Sequence, residues 1–499
     1  MTTIAPKTQG QLDDASRNLH NSVVRALSTD KKLAVIKAPP GSGKTYTLLG
    51  IVGSLISEHN WQIAVAAQTN NQANDLAIEF SKRFPRLKAI RIGSNGSSAP
   101  KDFPSTVEWM TSTKHIPDVP VLAIATTAKW AASPASTVFD LLAVDEAWQM
   151  AWADLMRCAD LSERFMLIGD PGQIAPVTTI DVARWGTSLR APHKAAPEVV
   201  FDDPQFESVR IVGNLPSCRR LPSEAVAYIK PFYDFDFDAY ALPGERKIFM
   251  KDDDVELRRI FERLKVDEGS VATAGWASEQ SGADISQLLP KNAMFEKAAS
   301  IGEDIPAATL VRRLSTCEPV LATIPTSPDG PPAQVDMELA RAIHRIVKAL
   351  LNPDVLIAFE AGQQPRPVEQ QDIGIAASHR SMNGAIRKAL GTGFANVRID
   401  TPERWQGLQK PIMIAVHPLS GVTDPSDFDL STGRLCVMAS RQQAAMIFVS
   451  RDHVGYTIEN VIPSATQAPG EPDVVGQGRR AHLEFWELLK NNNRVVSMV

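Results

Sequence analysis

Short, uninterrupted apolar runs alternate with amphipathic stretches through the first third of the chain. The runs are LAVIKA (33–38), IAVAAQ (63–68), VLAIAT (121–126), FDLLAVDEA (139–147) and RFMLIGD (164–170). NDLAIEFSKRF (74–84), between the second and third, has helical spacing. Strands that are apolar on both faces and separated by helices predict a parallel sheet in an α/β domain. The rhythm returns as DIGIAAS (372–378), MNGAIRKALG (382–391), ANVRID (395–400), KPIMIAVHP (410–418) and AMIFVSR (445–451). This predicts two α/β halves, each built on a parallel sheet.

The rhythm is interrupted in three places. Residues 92–120, from GSNGSSAPKDFP onward, predict a small loop-rich insert. Residues 252–334 open on three consecutive aspartates and end in the turn-rich TSPDGPPAQ, which predicts a mostly helical insertion in the second half. A Pro/Gly-rich stretch from Pro463 to Gly478 predicts a linker to a terminal helix around Ala481–Lys490. The expected organisation is therefore 1–215 as the first domain and 216–251 with 335–460 as the second. The insertion 252–334 and the tail 461–499 complete it.

Composition narrows the function classes. Lys+Arg is 52 against Asp+Glu 57, a net charge of −5, so nucleic acid is not bound by bulk charge and any contact needs a local basic groove. The four cysteines are scattered without CxxC spacing, which excludes a zinc knuckle and fits a reducing cytoplasm. No apolar run reaches the length of a membrane span, so a cytoplasmic protein without a membrane partner is expected.

Ala38-Pro39-Pro40-Gly41-Ser42-Gly43-Lys44-Thr45 comes after an apolar run and precedes a helical one, as a phosphate-binding loop does. Gly41 and Gly43 let backbone N–H groups curl around phosphate oxygens. Lys44 reaches the β- and γ-phosphates, and the Thr45 hydroxyl suits Mg²⁺. The first position, Ala38, is glycine in the general pattern. Asp145 and Glu146 end a buried strand downstream. An acid pair there caps a helix or turn, or else Asp145 anchors Mg²⁺ and Glu146 orients water as the base.

DEAWQ (145–149) with LIGDPGQIAP (167–176) after it resembles the superfamily 1 helicases, in the branch of the nonsense-mediated-decay RNA helicase and its DNA-replication relatives. APPGSGKT here is similar to GPPGTGKT in that branch. AQTNNQAND (67–75) and IATT (124–127) resemble its nucleic-acid-contacting segments, and SCRRLP (217–222) with PFY (231–233) resembles YRMHP. DIGIAASH (372–379), TPERWQG (401–407) and RLCVMASR (434–441) resemble the remaining motifs in order. The resemblance implies an AAA-type P-loop ATPase with two tandem RecA-like lobes that uses ATP and Mg²⁺ in the cleft between them. It gives Gln173 the part of a γ-phosphate sensor. Arg219 and Arg441 become cations facing the phosphate loop across the cleft. Thr69, Asn70, Asn71, Thr127 and Thr401 become groove residues for single-stranded DNA or RNA.

The chain departs from that family around the base. Cys218 stands where relatives stack a tyrosine on adenine, His20 replaces the edge-reading glutamine, and Gln409 comes after Gly407 where relatives carry an acid toward the ribose. Tyr46, just past the loop, is the alternative stacking partner. Two basic clusters read as groove or as solvated helix faces. One holds Lys82, Arg83, Arg86, Lys88, Arg91 and Lys101; the other holds Arg380, Arg387, Lys388, Arg398, Arg404 and Lys410. Trp405 either stacks a base or sits in the core.

The expected activity is that of an ATP-dependent helicase or translocase, monomeric as an ATPase core, with 5′-to-3′ movement implied by the resemblance alone. The rivals are a nucleic-acid-stimulated ATPase that remodels without unwinding, and a nucleotide-controlled binding module. Protein partners would use 252–334 or the tail. No metal-binding acid/lysine constellation supports a fused nuclease.

Overall fold

The computed structural model describes residues 7–132, 137–176, 182–185, 187–251, 305–327, 330, 335–359, 363–465 and 473–498. The chain divides into two compact units. One runs to Arg219 and takes back Tyr233–Tyr240; the other holds Arg220–Phe232 and most of the chain after Ala241.

In the first unit the apolar runs become β1 (Leu33–Lys37), β2 (Gln62–Ala67), β3 (Ala89–Ile92), β4 (Val107–Met110), β5 (Val121–Thr126), β6 (Leu141–Val144), β7 (Phe165–Gly169) and β8 (Arg210–Asn214). They form one eight-stranded sheet in the order β4-β3-β5-β2-β6-β7-β1-β8. Every pairing is parallel. The strands are apolar throughout because both faces are covered. Ala34 and Ile36 point into one layer with Leu48, Ile51 and Leu76, while Leu33 and Val35 point into the other with Trp130, Trp148 and Leu155. Helix α1 (Gln9–Ser28) starts at a capping box of Thr8 and Gln11, and α3 (Asn70–Arg83) at one of Thr69 and Gln72. Between them, α2 (Lys44–His59) begins directly on the phosphate loop. A short parallel pair, β9 (Ser217–Cys218) and β10 (Asp238–Ala239), comes after the sheet.

The second unit contains β11 (Lys247–Met250), β12 (Val320–Ile324), β13 (Val355–Ala358), β14 (Arg366–Pro367), β15 (Ile373–Ala376), β16 (Arg398–Asp400), β17 (Lys410–Val416), β18 (Gln442–Arg451) and β19 (Val495–Ser497). Six of them make a parallel sheet in the order β16-β15-β17-β18-β12-β19. β11, β13 and β14 form a separate antiparallel sheet. The α/β reading with two parallel sheets holds. No helix among the described residues is long and apolar enough to cross a membrane.

Three boundaries differ from the sequence reading. Residues 320–324, expected inside the insertion, are β12 and lie between β18 and β19, while Ile305–Arg313 is a helix whose Ala307, Leu310 and Val311 enter the core. Residues 252–304 of the expected insertion lie outside the described residues. The 92–120 insert is not all loop, since β4 pairs with β3 at the sheet edge. The terminal helix begins at Val474, before the expected Ala481, and the strand after it, β19, completes the second sheet.

Candidate functional site

The phosphate loop leaves β1 with Ala38 N–H bonded to Gly169 O at 2.8 Å. Gly41 and Gly43 hold φ of 63° and 81°, left-handed values that a side chain resists. Gly43 is the N-cap of α2, so the helix opens with Lys44 and Thr45 at its positive end. Their side chains meet the acid pair at the end of β6. Lys44 Nζ is 2.5 Å from Glu146 Oε1, and Thr45 Oγ1 is 3.5 Å from Asp145 Oδ2.

Both acids are buried, at 6% exposure each. Burial, with Glu146 alongside, pushes the Asp145 carboxyl up to about 6, against the pull of Lys44. Glu146 adopts φ 55°, a strained value for a side-chain-bearing residue, and its N–H donates to Asp145 Oδ1 at 3.0 Å. The two carboxylates have different partners, Lys44 for Glu146 and Thr45 for Asp145. Among the described residues no group of three His, Cys, Asp or Glu side chains could hold a metal ion. The oxygens of Thr45 and Asp145 suit Mg²⁺ as a partial set that phosphate oxygens complete.

Gln173 belongs to a second side-chain network, with Asp170 and Gln149. Its Nε2 donates to Asp170 Oδ2 at 3.2 Å, and its Oε1 accepts from Gln149 Nε2 at 3.0 Å. Asp170 is 1% exposed and also accepts from Gly172 N–H and from Tyr233 Oη at 2.9 Å. The sequence reading overlooked Gln149, Asp170 and Tyr233 as a linked set. DEAWQ and GDPGQ carry the first two, but nothing local announces Tyr233.

The cations expected to face the loop differ in setting. Arg219 belongs to the first unit rather than to a facing one: its N–H donates to Gly41 O at 3.0 Å. Its guanidinium bonds Asp13 at 2.7 Å and lies 3.6 Å from the centroid of the Tyr240 ring. Arg441, in the second unit, is fully buried. It donates to Val437 O and Ser440 Oγ, and its Nη1 is left without a partner.

The base-reading candidates are engaged elsewhere. His20 Nε2 is 3.1 Å from Ser54 Oγ on α2, with its pKa lowered by burial and then by Arg83. Tyr46 is exposed, but the Arg83 guanidinium lies 3.6 Å from its ring centroid and donates to Tyr46 O at 2.5 Å. Arg83 is therefore a packing partner of α2 and not a free groove cation. Gly407, at φ 76°, makes the turn after the helix that ends at Trp405.

Among the groove candidates, Thr69, Asn70 and Asn71 are exposed at the start of α3. Thr69 caps that helix, and Asn70 Oδ1 accepts from Arg91 at 2.9 Å. Arg91 is 1% exposed and bonds Asn70 and Asn74, so it supports the segment from beneath. Thr127 is buried on Ala67 O at 3.4 Å. Thr401 precedes its short helix, where its side chain bonds the Glu403 carboxylate and makes no capping bond. Arg86 is exposed. Trp405 is fully buried and donates to Ile375 O at 3.0 Å, so it is core and stacks no base. Arg398 and Arg404 flank Asp400 at 3.3 and 3.4 Å, so one carboxylate offsets one charge of the second cluster.

Residues 20–195 match the family model described as an AAA domain. An uncharacterized ATP-dependent helicase of Methanocaldococcus jannaschii is 27% identical over 86 residues, which is 17% of this chain and 13% of that relative. The match thus spans only a small part of that protein's length. Among solved structures, the arterivirus nonstructural protein 10 helicase aligns with 86% of this chain and 61% of its own, at 14% identity and a TM-score of 0.39. The helicase domain of Pyrococcus furiosus Hef aligns with 87% and 95%, at 12% identity and a TM-score of 0.28.

Proposed function

We propose that the chain is a superfamily 1 helicase-like P-loop ATPase that couples Mg²⁺-dependent ATP hydrolysis to movement along single-stranded nucleic acid. The observation that supports this reading is the buried group of Lys44, Thr45, Asp145 and Glu146 at the ends of β1 and β6. In phosphoryl transfer, catalysis is mostly positioning and charge stabilisation. The backbone of Gly41–Gly43 and the N-terminus of α2 hold the phosphates. Lys44 leaves Glu146 for the β- and γ-oxygens, which frees that carboxylate to take the proton of the attacking water. Asp145 and Thr45 would hold Mg²⁺, which neutralises charge between the β- and γ-phosphates. Gln173, tied to Asp170 and Gln149, orients the water or senses the γ-phosphate. Arg219 adds a cation from beside Gly41.

For strand binding, Thr69–Asn71 and Arg86 are the exposed candidates, and contacts of this kind read backbone rather than sequence. A second reading, an ATPase that remodels without unwinding, is favoured by one feature. The 92–120 segment lies on the sheet edge as β4 and does not form a separate domain.

The deciding experiment measures ATP hydrolysis alone, with single-stranded DNA and with RNA, alongside displacement of a labelled strand. Stimulation with displacement supports the helicase reading; stimulation without it supports the second. Hydrolysis that neither polymer changes would discard both.

A further inference from the structure

Parallel pairing of β9 and β10 brings Tyr240 beside the phosphate loop. Tyr240 N–H donates to Cys218 O at 2.8 Å, while Cys218 Sγ contacts Pro40 O at 2.8 Å and Arg219 N–H bonds Gly41 O at 3.0 Å. The tyrosine missing at position 218 is thus present one strand away. Gln9 Nε2 fixes its backbone by donating to Tyr240 O at 2.9 Å.

The Tyr240 side chain already holds a flat, N–H-bearing group. The Arg219 guanidinium lies 3.6 Å from the ring centroid, and its Nη2 donates to Asp13 Oδ1 at 2.7 Å. Tyr240 Oη donates to Asp13 Oδ2 at 2.9 Å, which sets the carboxylate at the rim of the ring. A planar conjugated group on this ring therefore reaches Asp13 with an in-plane N–H. The amino-bearing edge of a purine has that same shape and donor. The side chains of Arg219 and Asp13 are 42% and 43% exposed, so the pair is open to a ligand. The hydrogen bond from Tyr240, then Arg219, keeps the Asp13 carboxyl below its ordinary range despite some desolvation, so it remains an acceptor at neutral pH.

We propose that Tyr240 and Asp13 are the base-reading pair of the nucleotide site. An aminopurine stacks on Tyr240 and donates its exocyclic N–H to Asp13, taking the place of the Arg219 guanidinium, which moves to the phosphates. This rests on the nucleotide-hydrolysis reading above. A carboxylate only accepts, so a base without an amino donor leaves Asp13 unmatched, and such mismatches discriminate strongly. Selection for aminopurines would thus come from residues that sequence order keeps far apart.

The test compares kcat/KM for ATP, GTP and purine riboside triphosphate, which lacks the exocyclic amino group, in the full chain. Wild type is expected to favour ATP over purine riboside triphosphate by about tenfold or more. Asp13→Ala should bring the two within about threefold of each other. Tyr240→Ala should raise KM for all three by about tenfold, and Tyr240→Phe, which keeps the ring, should raise it far less. Releasing Arg219 changes kcat for every nucleotide alike, so the ratio between nucleotides is the readout. A wild-type ratio near one, or a ratio that Asp13→Ala leaves intact, overturns the assignment. Lys44→Ala serves as the separate control. If it hydrolyses like wild type, the phosphate site is wrong; if it is inactive while the Asp13 ratio stands, only the base-reading pair falls.

Discussion

Lys44 Nζ and Glu146 Oε1 are 2.5 Å apart, with Glu146 6% exposed, so the proposed phosphate cation and the proposed base are each other's partner. Each must be released by the substrate before it can act. Glu146→Gln keeps the shape and a hydrogen bond to Lys44 but removes the proton acceptor. Turnover should fall by about 10²–10⁴, with nucleotide affinity kept within a few-fold. Titration with a fluorescent nucleotide beside a phosphate-release assay checks both halves; a variant that turns over at the wild-type rate would remove Glu146 from the chemistry.

Asp145 carries the opposite signature. Its carboxyl is held up at about 6 because burial and Glu146 disfavour its charge. Asp145→Asn should therefore stabilise the first unit while abolishing Mg²⁺-dependent hydrolysis. The midpoint shift to look for in calorimetry is about 2–4 °C per kcal/mol for a unit of this size. A lower midpoint with activity retained would contradict both the burial argument and the metal assignment.

Trp405 tests core against groove. Trp405→Phe fills most of the volume but leaves Ile375 O without its donor, at a cost of about 1–3 kcal/mol. Denaturant unfolding should register that loss, whereas the salt dependence of strand binding should not change. Arg86→Ala, at an exposed site, should instead reduce the salt slope by about 0.7 if it touches phosphate.

Two histidines set an acid limit on the second unit. His482 is fully buried with neither ring nitrogen bonded, and burial pulls its pKa down to about 3. His417, its ring 5.2 Å away, is lowered well below the ordinary value by burial and then by His482 and His453. Both stay neutral when folded. Below about pH 6.5 the unfolded chain takes up protons that the folded one refuses, so stability is full above that pH and drops beneath it. The loss is about 1.4 kcal/mol per histidine for each pH unit. Thermal midpoints between pH 7.5 and 5.5 should fall in wild type and fall less steeply in His482→Leu. Equal slopes would refute the linkage.

The glycine-rich loop of the candidate site was legible because its logic is local. An apolar run, a glycine-rich turn and a helix start occur in sequence, and Lys44 is indeed the first residue of α2. The acid pair at the end of β6 obeys the same rule. The partners of single residues were not legible. Asp13 meets Arg219 across 206 positions, and no periodicity encodes that contact. Arg83 and Arg91 look alike in a basic run, yet one packs on Tyr46 and the other lies 1% exposed beneath Asn70. Residues 320–324 escaped notice because the run is five residues long and stands between Pro319 and Pro325.

The order of strands also has a consequence for synthesis. β1, which presents the phosphate loop, has β7 and β8 as its neighbours, and these come from residues 165–169 and 210–214. At about 5–20 residues per second, the second flank leaves the ribosome some 10–35 s after β1 does. Throughout that interval β1 has an open hydrogen-bonding edge on an apolar strand, a template for unwanted pairing. β12 waits similarly for β18 and β19, at 442–451 and 495–497. Slowing translation between residues 38 and 210 should therefore cost soluble yield, and holdase chaperones should bind stalled chains of about 100–200 residues most strongly.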